Sequence, residues 1–325
     1  MENLLFAVKN VLPVFIVILL GIVLKQKKFL KDDFSVISNK IVFNVGLPAM
    51  IFNAIYNIDL SKDINPDILI FTIVGTIAYF LILCMVSLVF NIRGPAMGAF
   101  VQGAMRSNFV IIGFPLILNL FGERGMSKAA VVLAVAMPLY NIFAVFILTS
   151  TSKGMQKFNL IKVLAGVIKN PYIISVVAAF AFSFINKIFP DILFLKVLVF
   201  DVPLKTIGYL AMLTIPIALL DIGASFNFQK AFKGIKIAVF ASFLKIIAAP
   251  VIFTYIAYVM GFRGDDLGVL YILFASPTAV SSYIMAKAMK SDADLASSIV
   301  VLTTLGSIAT VFLGVLILKY INVIA

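Results

Sequence analysis

The sequence predicts an all-α, polytopic membrane protein with ten transmembrane helices. They form two inverted five-helix repeats, with spans 4 and 9 broken in the middle. Three observations predict it: apolar runs of spanning length recur along the chain, basic residues gather in alternate connections, and a proline-polar pattern repeats at one offset. Of the 325 residues 63% are hydrophobic and 12% charged, whereas soluble domains carry about a quarter charged residues. The mean hydropathy is +1.15.

A spanning helix needs about 20 mostly apolar residues. Span 1 covers 6–24 and ends in "KQKKFLK" without a small-residue cleavage site, so it reads as a span and not a signal peptide. Span 2 (36–56) holds "VGLPAMIFN", and span 3 (67–90) holds Cys84. Span 4 (97–121) is interrupted by "RSN", Gly113 and Pro115, and span 5 (128–150) contains "MPLYNIFAVF". A polar connector, Thr149 to Lys162, separates a first half (1–150) from a second (151–325). Spans 6 (166–186), 7 (204–226, with "LTIPIALLD"), 8 (235–259, with Lys245), 9 (267–288, with "ASPTAVSSY") and 10 (294–319) follow.

Connections 1–2, 3–4, 5–6, 7–8 and 9–10 carry fourteen Lys and Arg, against nine on the opposite side. Acidic residues number four on the first side and nine on the second. Basic loops stay cytoplasmic, so the loop 151–165 is expected in the cytoplasm and both termini outside the cell membrane. The net charge of +12 thus reflects topology, and nucleic acid is not an expected partner.

Pro48 and Pro216 lie 168 residues apart, each followed by four apolar residues and then Asn53 or Asp221. The same offset carries Asn108 onto Ser276. A five-helix unit inverts its second copy, and inverted repeats with interrupted midplane helices are a recurrent transporter plan.

The chain has one cysteine and no histidine. That argues against a zinc site and against Ser-His-Asp or Cys-His catalysis, so neither metal, cofactor nor enzymatic activity is expected. No ATP-binding G-x-x-x-x-G-K-[ST] run occurs.

Chemistry is expected where the apolar pattern breaks. Arg106, Ser107 and Asn108, then Gly113 and Pro115, interrupt span 4; Ser276, Pro277, Thr278, Ser281 and Ser282 interrupt span 9. Proline removes a donor and frees carbonyls, and unsatisfied backbone survives at membrane depth only inside protein or beside a watery cavity. The functional reading is that both spans unwind, and their half-helix N-termini hold an anionic group. The alternative is a pair of simple proline kinks. Asp221 is the one acid inside a span apart from Asp67 and Asp294 at span starts, and is read as an ion-coupling or gating group, taking a proton or Na⁺ or pairing with Arg106 or Lys245. Otherwise it is a wetted residue near the span's end. Arg106 either draws an anion inward or snorkels, and Lys245 snorkels or pairs. Tyr140 and Asn141 face the bundle centre or bond between helices.

The ordered set "VFNVGLPAMIFNAI", "RSNFVIIGFPLILNLFGERG", "AMPLYNIFAVF", "KNPYIISVVAAF", "TIPIALLDIGASF" and "ASPTAVSSYIMAKAM" resembles the auxin efflux carrier family. Its members include plant PIN-type carriers and bacterial proteins described as malate or malonate permeases. The resemblance runs through nearly the whole chain, and the short central connector makes it closest to the compact bacterial members. It implies that spans 4 and 9 cross as broken helices beside the substrate. Spans 1, 2, 6 and 7 would form a scaffold, with a possible homodimer through it, and spans 3–5 and 8–10 an elevator-like transport domain. Asn108 falls at the family's crossover asparagine, Pro277 at its span 9 proline, and Asn141 at its span 5 amide. The chain departs at Ser107, where plant carriers have proline. It also lacks their charged support site in span 3.

The function expected is secondary transport of a small organic anion, a carboxylate by preference, with H⁺ or Na⁺ as coupling ion. The alternatives are a ligand-binding sensor of the same fold and, with little in its favour, an intramembrane enzyme.

Overall fold

The computed structural model describes residues 1–56, 65–152, 161, 169–188, 201–225 and 235–324. Most of the connector 151–165, and the start of span 6 at 166, fall outside these residues. The described chain consists of helices: α1 (Glu2–Gln26), α2 (Asp32–Ile41), α3 (Leu47–Tyr56), α4 (Pro66–Val89), α5 (Gly94–Met105), α6 (Phe114–Thr151), α7 (Pro171–Ile188), α8 (Val202–Ala224), α9 (Ile235–Phe243), α10 (Ala249–Val259), α11 (Gly264–Ala275), α12 (Ser281–Ala288) and α13 (Ala293–Tyr320).

Three π-helical turns, Val42–Gly46, Phe109–Gly113 and Leu244–Ala248, join α2 to α3, lead into α6, and join α9 to α10. Each ends two residues before a proline: Pro48, Pro115 and Pro250. A proline ring crowds the carbonyl four residues back and offers it no N–H, and a widened turn relieves that crowding while the chain stays helical. The Tyr79 hydroxyl donates to the Leu244 carbonyl in the third turn at 3.0 Å.

Seven helices among the described residues are long and apolar enough to cross a membrane, fewer than the ten runs read from the sequence. The difference lies in how runs 4, 5, 6 and 9 are divided. Run 4 stops at Met105, restarts at Phe109, and continues through α6, where Gly122 (φ 61°, ψ −157°) turns the chain between runs 4 and 5. Run 9 is split into α11 and α12, and the apolar part of α7 covers 171–185.

The interrupted runs are the most enclosed parts of the fold. Residues 98–117 and 267–279 are buried without exception, whereas α4 and α10 present Ile70, Val74, Leu81, Val251 and Tyr255 outward. Backbone that leaves the helix is thus surrounded by protein, as a membrane requires.

Around that core, α1 and α8 meet backbone to backbone. A Cβ on Gly21 would strike the Leu220 carbonyl, and one on Gly223 would strike the Ile18 carbonyl and lie 2.8 Å from the Ile22 nitrogen. On α3, Phe52 meets Phe182 of α7 edge-on at 5.7 Å. The turn before α3 packs on α8, where Gly46 faces Thr214.

The helix ends sort to two sides. At one side Lys128 Nζ lies 2.6 Å from Asp266 Oδ1, with Asp265 reached by Lys128 and Arg124 at 3.7 Å each. The Gly264 amide there donates to the Val323 carbonyl at 2.8 Å, and the Lys319 ammonium lies 4.6 Å from the Phe6 ring centre. Both chain ends therefore share this side. At the other, Ser291 Oγ donates to the Pro95 carbonyl at 2.7 Å.

Candidate functional site

The half-helices α5 and α11 are each 12 residues long and each follows an arginine, Arg93 or Arg263. Their glycines Gly94 and Gly264 take φ of 57° and 56°, a left-handed turn that glycine makes without strain. Those arginines lie 170 residues apart in the chain. The helix ends thus match at an offset two residues longer than the 168 read from the prolines, and the break at Arg106 corresponds to the break at Ser276.

Past each break the chain runs extended, with Arg106 at ψ 117° and Ser276 at ψ 138°. The two extended pieces pair as a single antiparallel bridge, Ser107 opposite Thr278. The Asn108 amide donates to the Pro277 carbonyl at 2.7 Å, and the Ala279 amide to the Arg106 carbonyl at 3.3 Å. The Thr278 amide donates to Thr303 Oγ1 of α13 at 3.1 Å, and Thr278 Oγ1 donates to the Gly103 carbonyl at 2.7 Å. Donors that the helices surrender are thus reused across the break, in keeping with the rule that buried backbone groups are paired.

Beside the bridge lies a cavity of about 90 Å³ lined by Arg106, Ser107, Asn108, Tyr140, Asp221 and Ser281, among others. The helical turns that begin at Phe109 and Ser281 both open onto it. The start of a helix carries the positive end of its dipole, although at the Ser281 helix the Ser282 and Tyr283 amides already donate to the Ala279 and Val280 carbonyls at 2.9 and 3.1 Å. Arg106 is 7% exposed, and among the described residues its guanidinium makes one hydrogen bond, from Nη1 to the Met285 thioether at 3.0 Å. Ser107 Oγ is buried without a partner among the described residues. Asp221, also 7% exposed, accepts from Asn39 Nδ2 at 2.6 Å and from Ser225 Oγ at 3.5 Å. The lining therefore combines a guanidinium and the first turns of two helices with a carboxylate held by Asn39 of α2 and by Ser225 just past the end of α8.

This arrangement can hold an anion, and its dimensions suit a small one. It contains no cluster of ligands for a metal ion among the described residues.

A family model described as a membrane transport protein matches residues 6–314. The chain belongs to the membrane transport protein family. This is the auxin efflux carrier family that its motifs resemble. An uncharacterised transporter of Methanocaldococcus jannaschii is 24% identical over 321 residues, covering 93% of this chain and 96% of that one. An uncharacterised transporter of Methanothermobacter thermautotrophicus is 25% identical over 315 residues, covering 93% and 95%. This membrane transport protein is thus a multi-pass permease and not an enzyme.

Six residues singled out from the sequence, Arg106, Ser107, Asn108, Tyr140, Asp221 and Ser281, meet at the cavity of the permease. The others lie elsewhere. Ser276 Oγ donates to the Ile272 carbonyl of its own helix at 2.7 Å, and Thr278 spends its hydroxyl on Gly103. Ser282 is fully buried with its hydroxyl unpartnered among the described residues, and Asn141 is half-buried; neither lines the cavity. Pro277 contributes its carbonyl to the bridge. Gly113 allows close approach, since a Cβ there would lie 2.8 Å from Phe109 Cδ2 and 3.1 Å from Ser276 Oγ. Pro115 is the second residue of α6, while Pro48 and Pro216 sit inside α3 and α8.

Asn39 and Thr303 were not singled out from the sequence. Asn39 sits beside Lys40 at the head of an apolar run, where an amide reads as solvated, and Thr303 is one hydroxyl among several in span 10. Only their pairing across elements distinguishes them.

Proposed function

We propose that this permease is a secondary transporter of a small organic anion, a carboxylate by preference, working by alternating access of the elevator type. The observation that carries this reading is the buried Arg106 guanidinium. It lines a cavity beside the first turns of two half-helices, and its one hydrogen bond among the described residues goes to a thioether. A guanidinium has five donors and matches a carboxylate in a two-pronged geometry, so a carboxylate would satisfy what the protein leaves open.

In this reading the chain crosses the cytoplasmic membrane ten times as two inverted five-helix repeats, with both termini outside and the connector 151–165 in the cytoplasm. The paired Arg-Gly turns and the matching breaks of α5 and α11 support the repeat. The packing of α1 on α8 and of α3 on α7 and α8 supports a scaffold of spans 1, 2, 6 and 7, with spans 3–5 and 8–10 carrying the substrate and a homodimer forming through the scaffold. Asp221, on the scaffold side and held by Asn39, lines the same cavity as Arg106 and acts as the gating carboxylate. The coupling ion in this reading is H⁺ or Na⁺.

Purified protein in liposomes tests this. Counterflow of a labelled mono- or dicarboxylate, chosen by thermal-shift screening, is the expected result. Carboxylates that stabilise the protein yet show no counterflow would make it a sensor, and stabilisation by no anion would end the proposal.

A further inference from the structure

Lys245 is the one ammonium among the described residues with no solvent exposure. It sits in the π turn Leu244–Ala248, and no carboxylate pairs with it among the described residues. An isolated buried charge is costly, so its surroundings must hold it. Its Nζ donates to the Phe274 carbonyl at 3.3 Å.

The reason that carbonyl is free follows from the break. In an unbroken helix the Phe274 carbonyl would accept from the Thr278 amide, but that amide is turned to Thr303 Oγ1. The Leu273 carbonyl loses its partner as well, because residue 277 is proline and has no N–H. The last carbonyls of α11 therefore form the negative end of a helix dipole inside the protein. Unwound carbonyls and half-helix C-termini of this kind coordinate Na⁺ in broken-helix transporters.

The first half differs. At the 170-residue offset, Ala104 corresponds to Phe274 and Gly75 to Lys245. The Asn108 amide that Ala104 would use is likewise diverted, to Pro277, but a glycine supplies no cation there.

We infer that the Lys245 ammonium is a built-in cation at the carbonyl end of α11, standing where a metal ion would otherwise be held, so that this broken helix keeps its form without Na⁺. Lys245 is a positioning residue in this scheme: it holds α11 at the bridge and does not touch the anion cavity. The inference is independent of which anion, if any, is carried.

The test compares the melting temperature of the purified protein in sodium chloride, methylammonium chloride and choline chloride at equal concentration. The wild type is expected to melt at one temperature in all three. Lys245→Ala is expected to melt lower in choline chloride and to recover, saturably, with methylammonium or Na⁺. Lys245→Met, which restores bulk without charge, is expected to melt low in all three salts. A wild type stabilised saturably by Na⁺ over choline overturns the inference. So does a Lys245→Ala protein that melts like the wild type, or one whose loss neither cation repairs. Should Lys245→Ala not fold, Lys245→Met melting like the wild type, or a sodium-responsive wild type, remains able to overturn it.

Discussion

The backbone amide of Asn108 donates to the carbonyl of Pro277 over 2.7 Å, joining two interrupted helices from opposite halves of the chain. Asn108 also lines the cavity, so its main chain holds the break together while its side chain is proposed to serve the ligand. The two roles separate by experiment. Asn108→Ala keeps the amide and should melt within a degree or so of the wild type. Losing one hydrogen bond of about 1 kcal/mol would weaken anion binding about fivefold. Isothermal titration with the screened carboxylate measures it, and unchanged affinity would remove Asn108 from the site.

Arg106 should matter more. A charge-assisted bond is worth about 1.5–3 kcal/mol, so Arg106→Gln should lower affinity by roughly 10- to 100-fold. Arg106→Lys should recover only part of the loss, because an ammonium is a point charge and cannot grip a carboxylate with two prongs. Equal affinities for Arg106→Lys and the wild type would argue against the two-pronged reading.

Asp221 is predicted to affect transport and not affinity. Asp221→Asn retains a group that can bond Asn39 but loses the negative charge proposed for the gate. Carboxylate binding should hold or tighten while counterflow slows. Unimpaired counterflow would end its assignment as a gate.

Gly113→Ala adds a methyl group 2.8 Å from Phe109 Cδ2 and 3.2 Å from Ile272 Cγ2. Overpacking of this kind costs about 1–3 kcal/mol. Gly208→Ala meets nothing within 4 Å and serves as the control. Melting temperature and yield should fall for the first and stay level for the second.

Membrane orientation is open to thiol labelling. Lys157, in the connector, lies outside the described residues, so Lys287 and Glu123, both exposed and on opposite sides of the fold, are better sites. In a Cys84→Ser background, Glu123→Cys should react with an impermeant reagent on intact cells, and Lys287→Cys only after permeabilisation. The reverse pattern would invert the topology.

The extent to which the sequence revealed the site follows from the residue types. Arg106, Asn108 and Asp221 stood out because each is polar or charged within an apolar run, which membrane physics makes conspicuous. Asn39 did not, because the same amide beside a lysine at the head of an apolar run carries no such signal. Asn141 and Ser276 were equally conspicuous, yet the cavity includes neither. Polarity within a run marks a residue as needing a partner, and it does not say whether that partner is a ligand or a nearby carbonyl.

By itself the sequence determined the membrane class, the two-sided distribution of charge, and the approximate positions of the breaks. Those follow from local properties: hydropathy over about 20 residues, and proline's missing donor. The tertiary structure alone decided where each surrendered donor goes. It turned the Asn108 amide to Pro277, the Thr278 amide to Thr303, and the Lys245 ammonium to the Phe274 carbonyl left behind. It also set the correspondence of the helix ends at 170 residues, where the prolines had suggested 168. Hydrogen bonding across a break depends on which strands of chain meet in space, and a residue's own neighbours in sequence do not fix that.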